Sequence, residues 1–567
     1  MSKRWSALLG AGLSLCAVSA SAAITCQPVA PGEAYTGYLT SPGKINPDNG
    51  TCFVNKLSLT THDGVKLTAN IFLPKISSPD QKFPTIIMVN SWVCPDWEYI
   101  GQAYKLAKDG YIVIEYASRG WWKSEGITSV ASPDDIKDVS DIVDWLGANV
   151  PVDQANIAIS GISYGAGISL LGLAREPRIK TAAALSGWSS LEEQLYAQET
   201  TNKSNLNLLV GVAPIAGKLD PEVKVLQADL LNPDTTQQRA DEIRAWARPR
   251  SPLFEIDKIN ARRAPVFLSK NYSDEMFTPN STLDMFSKLQ GPKKILLNKG
   301  WHATAEALGA LLGTDNYIYD QAHRWFDYWL KGKDTGIMAE PQVDMAVGNG
   351  STRERLATWP DATVKNMTYY IAPRGDVRFQ LDCFCTKGIN GALQTSPSSL
   401  ILNDTLSSSG DTVATTGIPL VSELLSGAGI FPLAAPALVN RANGVVYNGP
   451  KLTSTLKLRG IPKVQLQMRP AQAQAQVITY LYDVDEFGIG KLITHSARSV
   501  HWATPGKTIS FPMDFHMMSY DVPKGHRLSL VVDTKDPHYA PANKTDFKFD
   551  LVFNGSTQAT LTIPYIN

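Results

Sequence analysis

The chain has 567 residues, 44% of them apolar and 19% charged, and its 53 lysines and arginines balance its 53 aspartates and glutamates. That length exceeds one ordinary hydrophobic core and implies two or three domains. A net charge of zero gives no footing for a nucleic-acid partner.

The first residues, "MSKRWSALLGAGLSLCAVSASAAITC", carry Lys3 and Arg4, a short apolar run and Ala20-Ser21-Ala22. This is the pattern of a secretory signal peptide over 1–22, cleaved after Ala22. The apolar run is too short to span a bilayer comfortably. The mature protein is therefore expected to be secreted or periplasmic, with no membrane contact after cleavage. Export permits disulfides, and Cys26–Cys52 is the expected pair, tying down a Pro- and Gly-rich arm over 23–55. Cys94 has no activating neighbours in sequence and is read as structural.

From residue 56 strands and helices alternate. "KLSLTTHDGVKLTANIFLP" predicts a hairpin turning at His62-Asp63-Gly64. "FPTIIMVN" and "GYIVIEYA" are β-branched runs suited to strands buried on both faces. "SPDDIKDVSDIVDWLGANV" has helical apolar spacing, with Ser132 or Asp134 at its cap. "NIAIS", a tight turn, a helix and the strand "TAAALSG" follow. This order predicts a mostly parallel sheet covered on both faces. Residues 189–260 read as a helical cap inserted over the sheet, which resumes at "APVFLSK" and "KKILLNK". After 340 helical patterns give way to short alternating runs, which predict an all-β sandwich over 341–567.

The chemistry concentrates at Gly161-Ile162-Ser163-Tyr164-Gly165, a G-x-S-x-G where a predicted strand enters a predicted helix. Such a turn exposes a serine at the carboxyl edge of the sheet and aims the next backbone N–H at the oxyanion position. A serine hydroxyl is a weak nucleophile and needs a histidine base oriented by a carboxylate. The loops after the two later strands supply Asp274 and His302. Glu275 and Glu306 are competing acids. His62 precedes the serine, His323 lies in an amphipathic helix, and His495, His501, His516, His526 and His538 fall in the β-rich half. The second oxyanion donor is expected from the loop after "TIIMVN", at Ser91, Trp92 or Val93, beside Tyr164. Trp92, Trp97, Trp121 and Trp188 are expected to wall an apolar substrate pocket, with Trp122 near them. No metal pattern and no cofactor motif is present, so none is expected.

These segments together resemble the cocaine-esterase and X-prolyl dipeptidyl peptidase family of serine hydrolases. The matches are "ASRGWWKSEG", the serine motif with "AALSGWSSL", "NYSDEMF", "GPKKILLNKGWH", and, in the second half, "YLYDVDEFGIGKL" and "VPKGHRLSLVV". The resemblance implies an α/β-hydrolase core with a helical cap, followed by a C-terminal jelly roll. It implies hydrolysis of a small-molecule acyl ester or amide through an acyl-serine, carried by Ser163, Asp274 and His302. The family often uses a tyrosine hydroxyl as the second oxyanion donor. Trp92 or Val93 stands at that place here, so a backbone N–H or the Trp92 indole is expected to substitute. Three alternatives are an X-Pro dipeptidyl peptidase, an amino-acid-ester hydrolase or β-lactam acylase, and a non-catalytic binding protein. The peptidase and the amino-acid-ester hydrolase or acylase need acidic groups for a free amine, for which Glu192, Glu193 and Glu199 are the candidates. The sequence is silent on oligomeric state.

Overall fold

The computed structural model describes residues 51–78, 80–374, 390–419 and 421–567. The expected signal segment, Cys26, Cys383 and Cys385 lie outside the described residues, and the expected Cys26–Cys52 bridge with them.

Ten strands form the first sheet: β1 (Cys52–Thr60), β2 (Lys66–Leu73), β3 (Phe83–Val89), β4 (Ile112–Tyr116), β5 (Val152–Ile162), β6 (Ile179–Leu185), β7 (Val266–Asn271), β8 (Lys293–Asn298), β9 (Val343–Ala346) and β10 (Arg353–Leu356). Their spatial order is 1-2-4-3-5-6-7-8-9-10. The pairs from β4 through β9 are parallel, and antiparallel pairs close both edges. β9 and β10, read from sequence as part of the β-rich half beyond 340, extend this sheet instead. Alternation along the central strands feeds two cores: Ile87, Val89, Ile157 and Ile159 pack on one face, while Ile86, Met88, Ala158 and Ile162 pack on the other.

Helices α1 (Ile100–Lys108), α2 (Pro133–Asn149) and α3 (Tyr164–Arg175) connect these strands. Ser132 caps α2 in a reciprocal box with Asp135. α3 is apolar nearly all round, and every residue from Tyr164 to Ala174 is buried, as suits a helix enclosed between sheet and neighbours. The cap holds α4 (Leu191–Leu195), α5 (Lys203–Ala216), α6 (Pro221–Leu231) and α7 (Gln237–Ala247). Beyond it, fourteen strands make one hydrogen-bonded β-rich network among the described residues. The chain is thus an α/β-hydrolase core with a helical cap and a C-terminal β-sandwich. No described helix is long and apolar enough to cross a membrane.

Candidate active site

β5 runs straight into α3, and Ser163 occupies the junction with φ 57° and ψ −116°, a conformation that costs a non-glycine residue energy. The turn can be this tight because the residues two positions away on either side, Gly161 and Gly165, have no side chains. A Cβ on Gly165 would stand 2.2 Å from the Val89 carbonyl oxygen, and one on Gly161 2.6 Å from the Gly165 backbone. The Ser163 N–H donates to Leu185 O (2.8 Å), fixing the turn against β6.

The Ser163 hydroxyl stands 2.7 Å from His302 Nε2, and His302 Nδ1 stands 2.9 Å from Asp274 Oδ2. His302 follows β8 and Asp274 follows β7, so both side chains arrive from adjacent strand ends. The carboxylate of Asp274 is fully buried, and both of its oxygens are occupied. Oδ1 accepts the N–H groups of Met276 (3.1 Å) and Phe277 (2.9 Å). Oδ2 accepts from His302 and from Lys270 Nζ (2.7 Å). Burial opposes the charge of Asp274, but His302 and Lys270 outweigh it and hold the carboxyl below its usual range. The ring of Phe277 meets the imidazole edge-on at 5.2 Å between centroids.

Of the competing acids, Glu275 turns away from His302. It lies buried against His538 (3.1 Å) and His495 (3.5 Å), linking the acid loop to the β-sandwich. Glu306 is occupied by the hydroxyls of Ser186 (2.9 Å) and Ser269 (2.8 Å).

Facing the serine is the loop after β3. Ser91 is not a donor toward Ser163, because its N–H binds Glu98 Oε2 (2.6 Å). The Trp92 indole, expected as a substitute donor, is committed to Leu209 O (2.8 Å) in the cap. The backbone N–H groups of Trp92, Val93 and Tyr164 remain without an intramolecular hydrogen-bond acceptor among the described residues. Val93 has φ 60°, which turns the loop sharply at this point. Cys94 carries a half-buried free thiol whose ionisation is pushed up by burial and by Glu98, so it is no thiolate.

Ser163 opens into a cavity of about 100 Å³ under the cap. Trp92 and Trp188 line it, with Leu209, Val210, Leu226, Leu230, Trp246, Met276 and Phe277. Two of the expected wall tryptophans are elsewhere. Trp121 is fully buried behind Trp92, with ring centroids 4.6 Å apart. Trp97 packs in the core on the opposite face of the sheet with Tyr99 and Ile100, because the loop after β3 descends to α1 there. Trp122 donates to Val93 O (2.9 Å), bracing the same loop. Among the described residues, no Asp, Glu, Lys, Arg or His appears on the cavity wall. Among the cap acids, Glu192 pairs with Arg248 (3.0 Å) and Glu199 with Arg244, while Glu193 lies in a separate polar cleft.

Two residues of the site escaped the sequence reading. Lys270 bridges Asp274 and the Gly187 carbonyl (3.0 Å) with no solvent exposure. Its signal was a lysine ending an apolar, doubly covered strand, where a charge needs a partner. Glu98 had no signal. It pins Ser91, whose hydroxyl also reaches Ile162 O (3.0 Å), one residue before the serine. Burial pushes the Glu98 carboxyl up to about 7.

Residues 63–304 match the family described as X-Pro dipeptidyl-peptidase (S15 family), and residues 335–563 match the X-Pro dipeptidyl-peptidase C-terminal non-catalytic domain. Together these spans take in most of the chain. A putative Xaa-Pro dipeptidyl-peptidase of Bacillus anthracis is 23% identical over 477 residues, covering 77% of this chain and 71% of that one. A CocE/NonD family hydrolase from Staphylococcus aureus superposes with a TM-score of 0.66 at 12% identity, over 91% of this chain and 94% of the other. An α-amino acid ester hydrolase gives 0.65 at 14%, over 95% and 100%. At such identities these two structures speak for the fold alone.

Proposed function

Because the chain belongs to the cocaine-esterase and X-prolyl dipeptidyl peptidase family of serine hydrolases, we propose that it hydrolyses acyl esters with an uncharged acyl group, through an acyl-serine at Ser163. The observation that carries this reading is the Ser163–His302–Asp274 chain opening onto a cavity that has no charged wall residue among the described residues. His302 Nε2 takes the Ser163 proton as Oγ bonds to the substrate carbonyl carbon. Asp274 fixes the tautomer by accepting from Nδ1 and stabilises the imidazolium. The backbone N–H of Tyr164, with that of Trp92 or Val93, receives the oxyanion, each such donor being worth roughly 3 kcal/mol in the transition state. His302 returns its proton to the departing alcohol. A water, deprotonated by the same nitrogen, then attacks the acyl-serine, and His302 passes that proton to Ser163 Oγ as the acyl–oxygen bond breaks and the acid is freed.

The family matches favour a second reading, an X-Pro dipeptidyl peptidase. That activity needs an anion for the free amine of its substrate, and the described residues of the cavity wall offer none. Comparing p-nitrophenyl butyrate with Ala-Pro-p-nitroanilide separates the two. The ester reading predicts turnover of the first and little of the second; the reverse order overturns it. Covalent labelling by a fluorophosphonate, lost in Ser163→Ala, tests the nucleophile. The charged, apolar and small-residue pattern of 1–22 supports export to the periplasm or medium, which N-terminal sequencing of the mature protein checks.

A further inference from the structure

The cavity wall under the cap is mostly apolar, and nearly every polar side chain on it is already bonded to protein. Gln194 joins Thr278 N and Ser281 Oγ, both at 2.8 Å. Thr201 donates to Leu195 O (3.0 Å), and Asn202 Oδ1 accepts the Asn205 N–H (3.1 Å). Gln227 donates to Asn207 (2.9 Å), and the indole of Trp188 donates to Arg250 O (2.7 Å).

Asn205 is the exception. It stands on α5, lines the cavity and is only 4% exposed, yet neither its Nδ2 nor its Oδ1 has a partner among the described residues. The Nε1 of Trp246, on α7 and on the same wall, is also buried without an acceptor. Buried amides are almost always paired in native proteins, and an orphan calls for a specific explanation. A leucine of similar size would fill this position without the penalty of an unmade bond, and Leu206 is its neighbour in sequence. An amide is kept here, with a free donor and a free acceptor.

We infer that Asn205 is a specificity-determining residue that reads an uncharged carboxamide on the acyl part of the substrate. The inference rests on the reading of Ser163 as the nucleophile. A carboxamide is complementary because its carbonyl accepts from Nδ2 while its N–H donates to Oδ1, closing one ring of two bonds. Trp246 Nε1 supplies a second donor on the same wall. A carboxylate or ammonium on the acyl chain is disfavoured, because the wall holds no counter-charge. A site built around such a pair discriminates strongly, since the analogue that lacks the polar group leaves both partners unpaired.

The test uses two esters of equal shape, ethyl 4-amino-4-oxobutanoate and ethyl 4-methylpentanoate, whose acyl chains end in a carboxamide and in an isopropyl group. Hydrolysis is followed by pH-stat for the full-length protein and for Asn205→Leu. The expected result is a fall of at least about tenfold in the amide-to-alkyl ratio of kcat/KM on substitution. Asn205→Asp keeps the shape but loses the donor, and must lower the ratio as well, which secures the test should the leucine variant fail to fold. An unchanged ratio in a variant that still labels with a fluorophosphonate overturns the inference, and leaves Asn205 bonded to pocket water alone. Absence of labelling in the wild type overturns the Ser163 reading, and this inference with it.

Discussion

Two buried polar side chains, Asp274 at the rim where the strands end and Asn205 in the cap above it, are treated in opposite ways. At the rim, Asp274 is fully enclosed and both of its oxygens are engaged, by two backbone N–H groups, His302 and Lys270. In the cap, Asn205 is nearly as enclosed and neither of its polar side-chain atoms has a partner. A fully bonded buried network is rigid, and rigidity suits machinery that must hold an imidazole within reach of a hydroxyl. An unbonded group is suited to a partner that arrives from outside. In the proposed reading, chemistry belongs to the rim and recognition to the cap.

The largest expected effect strikes the rim. Asp274→Asn keeps the shape but favours the wrong imidazole tautomer, and kcat for p-nitrophenyl butyrate should fall by about 10⁴-fold in steady-state assays. A loss under tenfold would break the contrast by making the rim carboxylate dispensable. Lys270→Met removes one partner of a buried pair and should cost about 3–5 kcal/mol of stability in denaturant titration. Its effect on kcat should be far smaller, because His302 and two N–H groups still hold Asp274.

Glu98 sharpens the comparison by pH. Its carboxyl is pushed up by burial, from an ordinary 4.5 to about 7. The folded state therefore binds a proton that the unfolded state has released between those values, and stability is lost as pH rises through that window. Ser91 adds a structural reason: its one hydroxyl proton faces both Glu98 Oε1 (2.6 Å) and Ile162 O (3.0 Å), and a protonated Glu98 lets both contacts be hydrogen bonds. Glu98→Gln should abolish this loss, on the order of 3 kcal/mol, and flatten thermal stability between pH 4.5 and 7. A slope that survives the substitution would assign it elsewhere. The smallest effect concerns the cavity wall on the acid-loop side. Met276→Glu puts an unpaired carboxylate on the neutral wall and should lower kcat/KM for a neutral acyl ester by roughly 100-fold. Unchanged kinetics would mean that the cavity is not where the acyl group sits.

The strand–turn–helix at Ser163 was legible because apolar β-branched runs, a G-x-S-x-G and an apolar helix share one stretch of chain. Positions 274 and 302 were legible as loops after predicted strands, and the structure brings their side chains into hydrogen-bond distance. The tryptophans were not separable by the same logic. Trp92 and Trp97 share one loop, but the loop crosses from the cap side of the sheet to the opposite face between them. Glu98 and Asn205 were invisible, since what distinguishes them is the presence or absence of hydrogen-bond partners in the folded chain. β9 and β10 fall beyond the boundary set at 340 because strands of four residues are too short to carry a pattern that assigns them to one sheet or the other.

The central claim is that His302 primes Ser163. Its most direct test is mass spectrometry of protein quenched during turnover of p-nitrophenyl butyrate. The account predicts a butyryl ester on the peptide that carries Ser163, absent from His302→Ala quenched at the same time. A butyryl group on another residue, or equal acylation of Ser163 without the imidazole, would contradict it.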